Sequence, residues 1–392
     1  MERALVFWLD GPPVCCKGVF DAVANLWKGD VYYVITRRID DNRARIITND
    51  CDGDSLKTSR AIYVVLSEMN NPQEYGMKFL EEHYDDIHVF NGYMSNSSVY
   101  LNKLLKMNKK SNTLIWAERP CPQVLKRPRL YKLAYCSIHK LRHRMYACKL
   151  RNKIDALLPL GMKGVESYCS NGWKKRNVYP FLYLPTMNES IAPSECPADA
   201  NMVRFVYLGR FSSGWKGTDI LIEACKKLQG KNYKLTLVGG YGDYKDQTLE
   251  YIDQNPNLEF GGTWPIDEAC DRLSKYDVCI VPSRFEGWNV TVNEALMAGI
   301  GCIVTDETVS DELVTSSGAG LVVKAGDPQA LADSMDEVLR NPQMINVWKK
   351  AAFGFRPYMT AQVCAQYFIS VLDYLFNNRS NRPIPPWYTG KE

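Results

Sequence analysis

The sequence predicts an α/β chain of two Rossmann-like domains, each a parallel sheet covered by helices on both faces. Two observations carry this. With 392 residues, 46% of them hydrophobic, the chain is too long for one ordinary core and long enough for two. Short apolar runs of strand length also alternate with helix-length segments of period near 3.6, in both halves, as expected of strands buried on two sides.

In the first half the expected strands are 5–9, 31–36, 87–90, 113–116 and 156–160, with a helix over 19–27 after the first of them. The proline-rich run 179–186, followed by Ser190, Pro193 and Pro197, reads as a domain border, giving domains 1–185 and 186–359. In the second half the expected strands are 203–208, 235–239, 278–281, 302–305 and 320–323, with a helix over 218–228 and another from Asn289 to a left-handed Gly299. Helices over 343–353 and 360–376 follow, and residues of about 360–392 are expected to complete the first domain. The tail after Asn377, with Pro383, Pro385 and Pro386, reads as extended. A ligand cleft is expected between the halves, at the carboxyl ends of both sheets.

Composition excludes several classes. Thirteen cysteines, an odd count with no Cys-x-x-Cys spacing, read as reduced thiols of a cytosolic protein. No His-Glu-x-x-His cluster exists among the four histidines. The one metal-like run, Asp50-Cys51-Asp52-Gly53-Asp54-Ser55, lacks the later acidic ligand of a calcium loop and reads as a solvated turn. Neither a secretory leader nor an apolar run of transmembrane length is found.

The chemistry concentrates in the second half. Glu286 sits in the turn after strand 278–281 and Glu294 eight positions on, inside the following helix. Gly287 lets the backbone turn, and the first amides of that helix, from Trp288 through Asn289 and Val290, offer an anion site. Upstream, Gly209, Arg210 and Lys216 lie in the loop between strand 203–208 and its helix. A planar Arg fork and a compact Lys charge suit a diphosphate on which negative charge develops.

Together these segments resemble the retaining glycosyltransferases of family four (glycosyl transferases group 1), which have the GT-B fold. The resemblance rests on Arg210 with Lys216, six apart, and on Glu286-x7-Glu294. Between them, 234–240 with Gly239 resembles the family's strand and glycine turn beside the nucleoside, and 258–263 with Gly262 and Thr263 the segment whose backbone touches the base. Asn289 stands where many relatives have a small residue. The resemblance implies that Arg210 and Lys216 stabilise the diphosphate, that Glu294 accepts hydrogen bonds from the ribose diol, and that Glu286 holds sugar hydroxyls. It also implies front-face attack with retention, no metal and no cofactor beyond a UDP- or GDP-linked sugar donor.

In the first half, the loop 10–18 resembles the family's glycine-rich loop. Gly18 carries over, and Lys17 replaces the first glycine, an added charge that could face a phosphate. His88 resembles the first histidine of the family's strand, while Glu118 holds the place where relatives have a further histidine near the acceptor. Glu118 could act on an acceptor hydroxyl or be a buried acid paired to Arg119, and both readings stand.

From Arg119 to Lys153 the chain has many cations and no Asp or Glu, although the net charge is only +4. Its interleaved Leu, Ile, Met and Tyr suit an interfacial helix on anionic lipid better than nucleic acid. The expectation is therefore a retaining glycosyltransferase, peripheral at the cytoplasmic face of a membrane, acting on a lipid-linked or polysaccharide precursor. A GT-B sugar-nucleotide epimerase and a non-catalytic membrane scaffold are the alternatives.

Overall fold

The computed structural model describes residues 3–11, 13–37, 60–107, 112–120, 129–185, 187, 191, 202–377 and 380–388. The acidic run 50–55, Lys126, Arg127 and most of the linker after 185 lie outside the described residues. The chain divides into two compact units, one of residues 1–185 with 361–385 and one of 186–360 with 386–392.

The first unit holds a sheet of β1 (Leu5–Leu9), β2 (Val31–Ile35), β3 (Ile62–Val65), β4 (Ile87–Asn91), β5 (Thr113–Ala117) and β6 (Ala156–Pro159). All pairings are parallel, in the order β3-β2-β1-β4-β5-β6. β3 was not expected. Its first residue, Ile62, is 44% exposed at the sheet edge, so it lacks the solid apolar signature of the inner strands. Helices α1 (Lys17–Leu26), α2 (Pro72–Glu82), α3 (Ser98–Met107), α4 (Arg129–Leu150) and α5 (Gly161–Ser170) accompany the sheet.

The second unit repeats the plan with β7 (Val203–Leu208), β8 (Tyr233–Val238), β9 (Leu258–Phe260), β10 (Val278–Val281), β11 (Gly301–Thr305) and β12 (Gly320–Val323). Its order is β12-β11-β10-β7-β8-β9. Around it stand α6 (Thr218–Lys227), α7 (Lys245–Asp253), α8 (Ala269–Leu273), α9 (Val290–Ala298), α10 (Asp311–Ser317), α11 (Pro328–Arg340) and α12 (Gln343–Phe355). Both sheets thus have the doubly wound order in which the chain starts centrally, runs to one edge, and returns to finish at the other. The reversals fall between β1 and β4 and between β7 and β10, where successive loops leave in opposite directions and open a crevice.

After the second sheet is complete, α13 (Ala361–Phe376) packs in the first unit, where Phe368 lies 5.9 Å from the Phe7 ring centroid. The end of the tail corrects the extended reading. Pro386–Tyr388 form a 3-10 turn, Trp387 is 0% exposed, and the Tyr388 hydroxyl donates to the Glu312 carboxylate. Two aromatic rings offer enough apolar area to fold the tail's end onto the second unit.

Candidate functional site

The second sheet's reversal brings the loops after β7 and β10 side by side. The amide of Arg284 donates to Trp215 O at 2.8 Å, and Gly217 lies so close to Pro282 that a Cβ there would stand 2.0 Å from its carbonyl oxygen. Gly217 also has φ +65°, a left-handed conformation that glycine adopts without strain. Neither the role of Gly217 nor the Arg284 bond to Trp215 was anticipated. Nothing in the local sequence marks Gly217 apart from other loop glycines.

Within this junction the Lys216 ammonium and a Glu286 carboxylate oxygen are 2.7 Å apart, both side chains largely buried. The same oxygen accepts the Ser283 hydroxyl at 2.9 Å, and the Glu286 amide donates to Glu307 O at 3.1 Å. Glu286 is therefore fixed through both its backbone and its side chain. Arg210 is exposed, its guanidinium 5.9 Å from the Tyr241 ring centroid. Its carbonyl accepts the Tyr207 hydroxyl at 2.6 Å, which anchors the residue while its charge stays available.

The glycine turns at the ends of β7, β8 and β9 pack on one another. A Cβ on Gly239 would lie 2.1 Å from Gly209 O, and the Gly239 amide donates to Gly262 O at 2.8 Å. Gly262 has φ +69°, and Thr263 beside it is exposed. These close approaches stack main chain beside Gly209, the neighbour of Arg210.

Helix α9 begins as the sequence indicates, with Asn289 at the N-cap accepting the Thr291 amide at 3.0 Å and Gly299 ending it at φ +77°. That cap engages the amide just after those expected to serve an anion, and Val292 donates to Asn289 O at 3.3 Å. The expected anion amides, those of Gly287 to Val290, lie before Thr291 and are not taken by this cap. Trp288 is 5% exposed and its indole donates to Asn293 at 2.8 Å, so only its backbone can serve a ligand. Gly287 is absent from the glycines with positive φ, so its turn is made without a left-handed conformation.

Glu294 is 4% exposed. Burial pushes its carboxyl up to about 8, and the Lys216 charge only partly opposes this. At neutral pH it is mainly a neutral acid that can donate one hydrogen bond as well as accept.

The first-unit candidates separate. His88 is fully buried, taking the Trp8 indole proton at Nδ1 (3.0 Å) and placing Nε2 3.0 Å from His83 O. Burial lowers it to about 4, so it is a neutral core histidine with a structural role, and a fully buried ring does not serve as an acceptor-side contact. Gly18 is needed by packing, since a Cβ would lie 2.5 Å from Pro185 O. Lys17 is paired with Asp21 one helical turn away. Glu118 is exposed, so it is no buried acid. Tyr183 donates to its carboxylate at 2.9 Å and Tyr168 to its carbonyl at 2.7 Å, while Arg119 is partly exposed. No group of three or more His, Cys, Asp or Glu suited to a metal occurs among the described residues.

Residues 203–341 match the family model described as glycosyl transferases group 1. The chain is 30% identical over 128 residues to the amylovoran biosynthesis glycosyltransferase of Erwinia amylovora, covering 30% of this chain and 31% of that protein. It is 29% identical over 135 residues to a putative colanic acid biosynthesis glycosyltransferase of Salmonella typhimurium, covering 32% and 33%. The matched segments span about a third of these relatives. Among solved structures, an Anabaena protein, HepE, in complex with UDP and glucose superposes with a TM-score of 0.69 at 13% identity, over 95% of this chain and 100% of that one. The sucrose-phosphate synthase of Thermosynechococcus elongatus gives 0.69 at 16%, over 96% and 100%.

Proposed function

We propose that this chain, whose residues 203–341 belong to the group 1 glycosyltransferases and whose scaffold is GT-B, moves a sugar from a nucleoside diphosphate to an acceptor hydroxyl. The observation that carries the reading is the Lys216–Glu286 pair at the β7/β10 reversal, with exposed Arg210 on the preceding turn of the same loop. A lysine held by a carboxylate is already in place for a diphosphate, and donor binding exchanges one anionic partner for another. Arg210, anchored through its carbonyl, supplies a second cation.

In the reaction the bond from the anomeric carbon to the phosphate oxygen breaks and a bond to the acceptor oxygen forms on the same face. Attack on the face that the phosphate leaves retains the configuration, the acceptor proton passes to the departing phosphate, and Lys216 and Arg210 take the place a metal would have at the diphosphate. Lys216 and Arg210 favour the charge that appears on the diphosphate as the bond breaks. Glu286 takes sugar hydroxyls, the backbone from Gly287 to Val290 takes phosphate, and Glu294 meets the ribose diol. The main chain of Gly209, Gly239, Gly262 and Thr263 receives the nucleoside. Glu118, exposed and steadied by Tyr183, is the acceptor-side candidate.

The acceptor is a lipid-linked or polysaccharide precursor, in keeping with the polymer-building names of the relatives, and the enzyme works at the cytoplasmic surface of a membrane. No helix among the described residues is long and apolar enough to cross one. Screening UDP- and GDP-linked sugars for thermal stabilisation and slow donor hydrolysis tests the reading. A nucleotide sugar that raises the melting temperature and releases nucleoside diphosphate supports it, and failure of the whole panel in both assays overturns it.

A further inference from the structure

Helix α4 divides the basic segment into two faces that the sequence alone does not separate. Toward the core it turns His143, Ala147 and Leu150, which are 3%, 0% and 2% exposed, with Tyr146 packed beside them. Away from the core stand Leu130, Ile138, Leu141 and Met145, at 82%, 67%, 61% and 65% exposure. At 3.6 residues per turn these four fall within an arc of about 80°. Exposed Arg142 and Lys149 border that arc on one side and exposed Lys140 and Arg144 on the other.

We propose that this outer face of α4 docks the chain on an anionic lipid bilayer, with the four apolar side chains in the acyl boundary and the four cations at the headgroups. The inference deepens the membrane reading above, assigning it to one face of one helix. Scattered exposed apolar residues are ordinary on a protein surface, but an aligned stripe of large ones with cations on both flanks is the pattern of a helix lying in a membrane interface. The cations' aliphatic stems can lie along the stripe while their heads reach phosphates. A nucleic acid would match the charge and leave the apolar centre against water, so the bilayer accounts for both halves of the pattern. Arg151, which the sequence groups with these cations, instead donates to Gly172 O at 3.0 Å and anchors the end of the helix.

The test is co-sedimentation of the full chain with vesicles of phosphatidylglycerol and phosphatidylcholine in equal parts, and of phosphatidylcholine alone, at low and high salt. Wild type should bind the anionic vesicles and keep part of that binding at high salt. The double variant Arg142→Gln/Arg144→Gln should lose on the order of tenfold or more in partitioning to anionic vesicles. The triple variant Ile138→Gln/Leu141→Gln/Met145→Gln should keep low-salt binding and lose the salt-resistant part. Equal partitioning of all three proteins, or none by wild type, overturns the proposal. So does wild-type self-association in analytical ultracentrifugation that the triple variant abolishes without any vesicle binding, because the stripe would then be a protein interface. Melting temperature and donor hydrolysis, read on the same samples, should match wild type in both variants. Vesicle binding without turnover of any donor would leave the dock standing and remove the glycosyltransferase reading; donor turnover without vesicle binding does the reverse.

Discussion

The guanidinium of Arg284 meets the carboxylate of Asp219 along two edges, Nη1 to Oδ1 at 2.5 Å and Nη2 to Oδ2 at 2.9 Å, while Nη1 also donates to Ser213 O. Together with the hydrogen bond that its backbone N–H donates to Trp215 O, this ties the loop carrying Lys216 to both α6 and the loop after β10. Arg284→Lys keeps one charge and loses the two-edged fit. We expect turnover to fall roughly tenfold through misplacement of Lys216, with the fold intact. Steady-state kinetics beside a melting curve checks this, and turnover equal to wild type would rule out the positioning role.

Lys216→Ala and Arg210→Ala should each lower turnover on the order of a hundredfold, because preorganised charge at a developing anion contributes several kcal/mol. The melting temperature should respond less to Arg210→Ala, whose side chain is exposed, than to Lys216→Ala, which strands Glu286 in a largely buried position. Donor turnover at the wild-type rate in both variants would sink the assignment of the diphosphate site.

Glu294 gives the site a pH signature. Its carboxyl is raised from 4.5 to about 8, so the folded chain holds this proton after the unfolded chain has released it. The resulting stabilisation is full below about pH 4.5 and is lost as pH rises towards 8. Glu294→Gln keeps the shape and removes the titration, so wild-type melting temperature should decline relative to the variant across that window. If the ribose diol donates to the ionised carboxylate, nucleoside diphosphate affinity should rise towards pH 8 in wild type and stay level in the variant. Calorimetry at several pH values reads both effects, and parallel wild-type and variant curves would refute a buried, protonated Glu294.

Gly217→Ala should be among the most damaging small substitutions in the second unit. It combines a left-handed φ of +65° with a Cβ 2.0 Å from Pro282 O, and backbone strain of this kind costs on the order of 1–3 kcal/mol before the clash is counted. Gly230→Ala shares a positive φ but has open space around its Cβ, so it serves as the control. Equal melting temperatures for the two variants would show that the Pro282 approach is not limiting.

Much of this was legible in the sequence, for a physical reason. Buried parallel strands announce themselves as solid apolar runs, and Arg210, Lys216, Glu286 and Asn289 sit at fixed offsets from strand ends, where spacing carries information. Asn289 as a cap and Gly299 as a left-handed stop follow from local rules. Arg284 with Asp219 did not, because the partners are 65 residues apart and a long-range ion pair leaves no local signal. Gly217 depends on Pro282, also distant in sequence. His88 lies on a strand as read, but its burial and its bond to Trp8 arise from sheet register, the pairing of Val6 with His88 that sets β4 beside β1. The edge strand β3 and the aromatic turn of the tail were missed because each depends on tertiary partners.

The path of the chain has a practical consequence. It crosses from one unit to the other after Pro185, after Thr360 and again after Pro385, so neither unit is a continuous stretch that can be excised. A fragment ending at Phe376 would retain α13 for the first unit but deprive the second of Trp387, whose indole is wholly enclosed, and of the Tyr388 hydroxyl on Glu312. An affinity tag or fusion partner would therefore be better carried at the amino end, and a proteolytic nick between α13 and the terminal turn would uncover apolar surface on the second unit.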